Sequence, residues 1–231
     1  MFSEEYEESP SHPQTLLHRC LHHSTDWLFV RYTQETFTET CHHTEAFQDN
    51  LHSLASRVHN VLAALKLTHF LCYGSLWGQI RLSRSLPWES NVEFCVFNEE
   101  LITKDEVYLQ RVFKQHQLLL SYDSSEGLYS IMDPKIGGAL VELVVFEENP
   151  QIGMMRRIGW KRRLLPPDCE AMSALDCFPT YLVSSPLPSR EFGGYDLPVP
   201  REGIEIQKYH FPQNWWKEVL PRTAELGSLM W

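Results

Sequence analysis

Between Tyr73 and Phe97 the chain reads Tyr-Gly-Ser-Leu-Trp-Gly-Gln-Ile-Arg-Leu-Ser-Arg-Ser-Leu-Pro-Trp-Glu-Ser-Asn-Val-Glu-Phe-Cys-Val-Phe. A glycine at 74 lets backbone come close to a ligand, and Ser75 after it can cap a helix whose free N–H groups point at an anion. The pair is a candidate phosphate seat. Sixteen residues beyond Ser75, Asn91-Val92-Glu93-Phe94 alternates polar and apolar as a half-buried strand does. Asn91 and Glu93 then share a face about 7 Å apart. Two oxygen-bearing side chains so placed could hold a hard cation. A further carboxylate, Glu142, stands inside the apolar run Val141-Glu142-Leu143-Val144-Val145-Phe146. There it needs a partner or a metal if buried, or else lies on a solvated face.

The first of these stretches resembles the signature of the LicD/fukutin family of nucleotidyltransferase-fold phosphotransferases. In that family a Gly-Ser/Thr-Leu-Leu-Gly turn and helix with an Arg precede Pro-Trp-Asp-Asp-Asp-Ile-Asp. Gly74, Ser75, Leu76, Gly78, Arg81, Pro87 and Trp88 occupy the matching positions; Glu89, Ser90 and Asn91 replace the run of Asp, and Glu93 replaces the last one. Near the C-terminus, Phe192-Gly193-Gly194-Tyr195-Asp196-Leu197-Pro198-Val199-Pro200, then Tyr209 and Trp215, resemble the family's closing Phe-x-Gly-x-x-Val-Pro-Val-Pro and Tyr-Gly-x-x-Trp elements, with His210 in place of the glycine.

The resemblance implies an α+β fold of nucleotidyltransferase type: a small mixed β-sheet flanked by helices, with an irregular C-terminal wrap. It also implies transfer of a phospho-alcohol group, such as phosphocholine or ribitol phosphate, from a CDP-linked donor to a glycan hydroxyl. Mg²⁺ or Mn²⁺ would be held by Asn91, Glu93 and Glu142, which are also the implied catalytic residues. Gly74, Ser75, Arg81, Trp88, Arg162 and Arg163 would bind substrate. Asn at 91 leaves the metal set one charge short, which favours the alternative of a pseudoenzyme that binds a glycan, a nucleotide or a protein.

The supporting elements are legible from periodicity. Leu51, Leu54, Ala55, Val58, Val61, Leu62 and Leu65 give one apolar helical face between about Thr44 and Lys66, and Phe70–Tyr73 reads as a strand delivering the Gly74 turn. His52, His59 and His69 accompany that helix as expected surface residues. Thr103-Lys104-Asp105-Glu106 reads as a capping box opening another helix. Strands are expected at Leu118–Tyr122, Leu128–Met132 and Ala139–Phe146, an antiparallel meander separated by turn-forming segments. Arg156, Arg157, Lys161, Arg162 and Arg163 gather five of the chain's 20 basic residues into a patch suited to pyrophosphate or an acidic glycan, or simply to solvent.

At 231 residues and 43% hydrophobic the chain can bury a sizeable core, read as one domain over 16–231 with its heart at 44–216, after an acidic disordered arm at 1–15. A formal charge of −10 excludes general nucleic-acid binding. No run is long and apolar enough to span a membrane, so the chain reads as soluble; a Golgi or secretory address comes from the resemblance alone. Six cysteines are too sparse for a disulfide scaffold, and Cys72 and Cys95 read as buried thiols. The clusters His18–His23 and Cys41–His43 invite a zinc reading, which adjacent histidines disfavour because they do not readily face one metal.

Overall fold

The computed structural model describes residues 43–170, 176–213 and 215. The chain divides into two compact units, Met1–His43 and Thr44–Trp231, and the second carries every described helix and strand. The acidic arm and the Cys/His clusters, apart from His43, lie outside the described residues, as does Trp216.

Helix α1 (Glu45–Ala64) opens where Thr44 accepts the Phe47 N–H at 3.2 Å. Its buried face is Leu51, Leu54, Ala55, Val58, Val61 and Leu62, the stripe that the spacing predicts. His52 joins that stripe instead of facing solvent. Its Nε2 lies 2.9 Å from the Ser85 hydroxyl and accepts the Ser85 N–H at 3.1 Å. Burial holds the ring well below the usual histidine range, at about 4. His69 is buried as well, 2.7 Å from the half-buried His59, so the surface reading of these histidines does not hold. In each case a neighbouring polar group makes burial affordable.

Strand β1 (His69–Leu71) leads into helix α2 (Tyr73–Leu82), and strand β2 (Asn91–Phe97) follows. A long crossover then runs through the short helix α3 (Asn98–Leu101), helix α4 (Glu106–Gln115) and the hairpin β3 (Leu119–Asp123) and β4 (Leu128–Met132) to strand β5 (Leu140–Asn149). Asp105, not Thr103, caps α4, accepting the Tyr108 N–H at 3.0 Å; the Thr103 hydroxyl is drawn back to the Glu100 carbonyl. The seven-stranded sheet has the path β1-β2-β5-β4-β3, with β6 (Met154–Arg157) added to β5 and β7 (Cys177–Pro179) to β6. β3, β4 and β5 form the expected antiparallel meander, whereas β2 and β5 run parallel with Glu93 opposite Glu142. Val92, Phe94, Val96, Val141, Leu143 and Val145 are buried on one face of this central pair. By alternation, Asn91, Glu93 and Glu142 share the other.

Cys72 and Cys95 form a disulfide, which corrects their reading as thiols. β1 lies antiparallel to β2 with Phe70 beside Cys95, and the chain's return brings the two Cα atoms to 5.9 Å. Cys169 and Cys177 form another, and no described cysteine is free.

Beyond the five-residue helix α5 (Trp160–Leu164) and a 3-10 turn at Thr180–Val183, the C-terminal wrap contains regular pieces: the hairpin β8 (Ser189–Phe192) and β9 (Tyr195–Pro198), then helix α6 (Gly203–His210). The hairpin turns at Gly193, whose N–H donates to the Ser83 carbonyl at 2.7 Å. A Cβ at Gly193 would lie 2.1 Å from His52 Cγ, and the residue holds φ +60°. Gly193→Ala should therefore destabilise the protein by about 2 kcal/mol or more through overpacking and strain. Gly137→Ala, with nothing within 4 Å and φ outside the left-handed region, should stay within about 0.5 kcal/mol. Denaturant midpoints of the two variants check this, and equal effects would contradict it.

Candidate functional site

The site forms where the first turn of α2 meets the starts of β2 and β5. The Gly74 N–H donates to Glu93 Oε2 at 2.9 Å and the Ser75 N–H to the same oxygen at 3.4 Å. In return the Ser75 hydroxyl accepts the Glu93 N–H at 2.7 Å, and the Cys72 N–H donates to the Glu93 carbonyl at 3.1 Å. Ser75 is therefore not the helix cap expected from sequence. The cap is Cys72, which offers no side-chain bond, and the serine instead ties helix to strand. Space at Gly74 is tight: a Cβ there would come within 3.3 Å of Glu89 Oε1 and 3.4 Å of Glu93 Oε2, so those side chains would have to give slightly.

Asn91 and Glu142 meet across the parallel pair, the Asn91 amide donating to Glu142 Oε2 at 2.9 Å. Glu142 thus has a protein partner, and the structure brings Asn91, Glu93 and Glu142 onto the face that holds the Gly74–Ser75 turn. Glu89, which the sequence analysis left out of the site, belongs to it. The signal was available, since Glu89 directly follows Pro87-Trp88 at the first acidic position of the resembled motif. Burial chiefly, and then the charges of Glu89 and Glu142, push Glu93 up to about 8, against the pull of the Ser75 and Gly74 N–H groups. Glu89 is itself raised by burial and by Glu142, and opposed by a hydrogen bond from Trp88. Three carboxyl groups crowd the turn, and this crowding favours the protonated form of Glu93.

The other expected substrate residues lie at varied places. Trp88 is largely exposed and anchors Glu89, while Arg81 is half-buried on the last turn of α2, seven residues or roughly 10 Å along the axis from Gly74. Three of the five residues of the basic segment are engaged in ion pairs away from Glu93. Arg156 pairs with Glu147, Lys161 with Glu126, and Arg162 with both Glu126 and Asp176. Together with Arg157 and Arg163, Arg156 and Arg162 line a partly open cavity of about 140 Å³ that Pro166 and Pro167 also border. No arginine is among the groups that shift Glu93; Arg157 and Arg162 act on the buried Tyr73 phenol.

Oxygen donors suit a hard divalent cation. Nevertheless, Glu93 Oε2 is taken by two N–H groups and Glu142 Oε2 by an amide. Among the described residues no three His, Cys, Asp or Glu side chains are arranged to hold a metal ion. In this conformation a cation would have to displace those N–H donors from the carboxylates. No described helix is long and apolar enough to cross a membrane.

A family model described as LicD/FKTN/FKRP, nucleotidyltransferase domain, matches residues 66–202, more than half of the chain and all of the site. The chain belongs to this family. With that membership come a transferase assignment and the nucleotidyltransferase character of the α+β fold. Solved structures similar to this LicD-family chain include the lincosamide antibiotic adenylyltransferase LnuA with lincomycin bound, at 8% identity and a TM-score of 0.41, covering 82% of this chain and 99% of that one. Another is ANT(2″)-Ia in complex with adenylyl-2″-tobramycin, at 13% identity and a TM-score of 0.37, covering 76% and 83%. Among curated protein sequences nothing matches.

Glu93 also sets a pH dependence. Its folded-state value lies above the ordinary 4.5, so its contribution to stability is present in full below about pH 4.5 and is lost as pH rises towards 8. His52, His69 and His210 are held below 6.5 by burial, so they add an opposite slope only at lower pH. Between pH 6.5 and 8 the metal-free protein should therefore lose stability, and Glu93→Gln, which cannot ionise, should remove most of that loss. Denaturant unfolding at the two pH values decides it; equal slopes in wild type and variant would contradict the assignment.

Proposed function

We propose that the chain is a LicD-family transferase that moves a phospho-alcohol group, of the phosphocholine or ribitol-phosphate type, from a CDP-linked donor to a glycan hydroxyl. The observation that carries this reading is the Gly74–Ser75 turn, whose two N–H groups converge on one oxygen, Glu93 Oε2. A donor phosphate oxygen can take the place of Glu93 Oε2 on those N–H groups. The upward shift of Glu93 lessens its repulsion of that oxygen. The acceptor oxygen then attacks the phosphorus that bears the alcohol, the bond from that phosphorus to CMP breaks, and the hydroxyl proton passes to Glu142. Arg81, Trp88, Arg162 and Arg163 enter as substrate contacts of this proposal, the last two through a donor or acceptor extending towards the basic cavity.

Mg²⁺ or Mn²⁺ belongs to the proposal as well. Glu89, Glu93 and Glu142 would supply its oxygens, with the Asn91 carbonyl in support, once Asn91 released Glu142. The ion would bring the positive charge that such crowded carboxylates and a diphosphate lack. Two disulfides support a secretory address, since such bonds persist in oxidising compartments.

A second reading has its own observation. Asn91 donating to Glu142 does what a cation would do, satisfying the carboxylate without metal, and this favours a binding module for a nucleotide, glycan or protein. Consumption of CDP-linked donors with and without Mg²⁺ separates the two. The transferase predicts turnover by wild type, a rise of several-fold with Asn91→Asp, and loss with Glu93→Ala. Donor binding without turnover in all three proteins would contradict it.

A further inference from the structure

We propose that Gln207, far from the site in sequence, is a positioning residue for the phosphate-seating turn: from α6 it grips the Tyr73 carbonyl and so aims the Gly74 and Ser75 N–H groups. The inference rests on the reading that this turn seats phosphate.

Tyr73 holds φ +48°, in the left-handed region where a side chain other than glycine costs on the order of 1 kcal/mol. Such a conformation persists where its surroundings enforce it, and the enforcing contact is visible. Gln207 is fully buried, and its Nε2 donates to the Tyr73 carbonyl at 2.7 Å across a sequence separation of 134. The Tyr73 carbonyl and the Gly74 N–H belong to one planar, trans peptide unit and point in opposite directions. Fixing the oxygen therefore fixes the direction of the hydrogen, which is towards Glu93 Oε2 at 2.9 Å. Rotation of that peptide would turn the Gly74 donor away, and the Ser75 donor depends on the same turn.

The helix supplies a second hold. His210 lies three residues after Gln207, on the same side of α6, and its ring packs on Tyr73 with centroids 4.3 Å apart and planes 33° apart. Gln207 Oε1 is buried without a hydrogen-bond partner, so the amide's visible service is the donor at its other end. A buried group used only for packing would be better served by an apolar residue of the same size. Tyr209 and His210 lie in the closing part of the chain, which the sequence reads as an irregular wrap; the proposal gives that part a further task, to hold the turn in one conformation.

The test compares full-length wild type with Gln207→Met, which keeps the length and loses the donor. Amide exchange and proton shifts are followed by NMR, with Leu62 and Val96 as core controls. Exchange at Gly74 and Ser75 should quicken tenfold or more and their amide protons should move upfield, while the controls stay within twofold. Unchanged Gly74 and Ser75 signals, or equal acceleration everywhere, would overturn the proposal. Should Gln207→Met fail to fold, Gln207→Asn, which retains the donor but falls one methylene short, is read by the same criteria. Titration with CDP keeps the two readings apart. CDP affinity should fall at least fivefold in the variant, and a variant binding CDP as wild type does would overturn the positioning role. If wild type binds no CDP, the donor reading fails while the exchange result still decides whether Gln207 holds the turn.

Discussion

The structure turns on one carboxyl oxygen. Glu93 Oε2 collects the N–H groups of Gly74 and Ser75, and the Glu93 backbone is tied to the Ser75 hydroxyl and the Cys72 N–H. Through these bonds the first turn of α2 is fastened to β2 at four points within one residue's length. The parallel pairing of β2 with β5 then fixes what stands beside Glu93, placing Glu142 directly across from it. The Cys72–Cys95 disulfide closes the same junction covalently, two residues before Gly74 and two after Glu93. The backbone of a site built this way has little freedom to rearrange even where a side chain is displaced, which suits the recognition of a ligand whose charge must be met by fixed dipoles.

Charge decides what such a site can accept. Burial and the charges of Glu89 and Glu142 raise the proton affinity of Glu93, Glu142 adds to the rise at Glu89, and the fixed N–H groups only partly offset the effect on Glu93. Asn91 relieves the tension at Glu142 by donating a hydrogen bond, at the loss of a negative charge that could hold metal. The arrangement is thus poised between a cation site and a neutral, hydrogen-bonded one. The arginines do not settle the balance, because Arg156 and Arg162 are bound to Glu147, Glu126 and Asp176.

Much of this was legible in the sequence. The α1 stripe, the Gly74 turn and the meander strands follow from local periodicity and turn chemistry, which act over a few residues. The strands β6 and β7 were not visible, because Met154–Arg157 and Cys177–Pro179 are short and acquire their order by pairing with β5 and with each other. Long-range facts stayed hidden for the same reason. The Cys72–Cys95 bond depends on β1 lying antiparallel to β2; His52 is buried because Ser85 and the Gly193 turn close over it; Gln207 reaches Tyr73 through the folded chain alone. Glu89 was misjudged differently: its residue type and motif position were in view, but its closeness to Gly74 and Glu93 is a property of the loop.

The central claim is that the Gly74 and Ser75 N–H groups are a phosphate seat occupied, in the free protein, by the protein's own Glu93. A crystal structure of the full chain with CDP tests it most directly. The account predicts a phosphate oxygen within hydrogen-bond distance of both N–H groups, with Glu93 Oε2 moved away from them. CDP bound elsewhere, with the 2.9 Å bond from Gly74 to Glu93 intact, would contradict it.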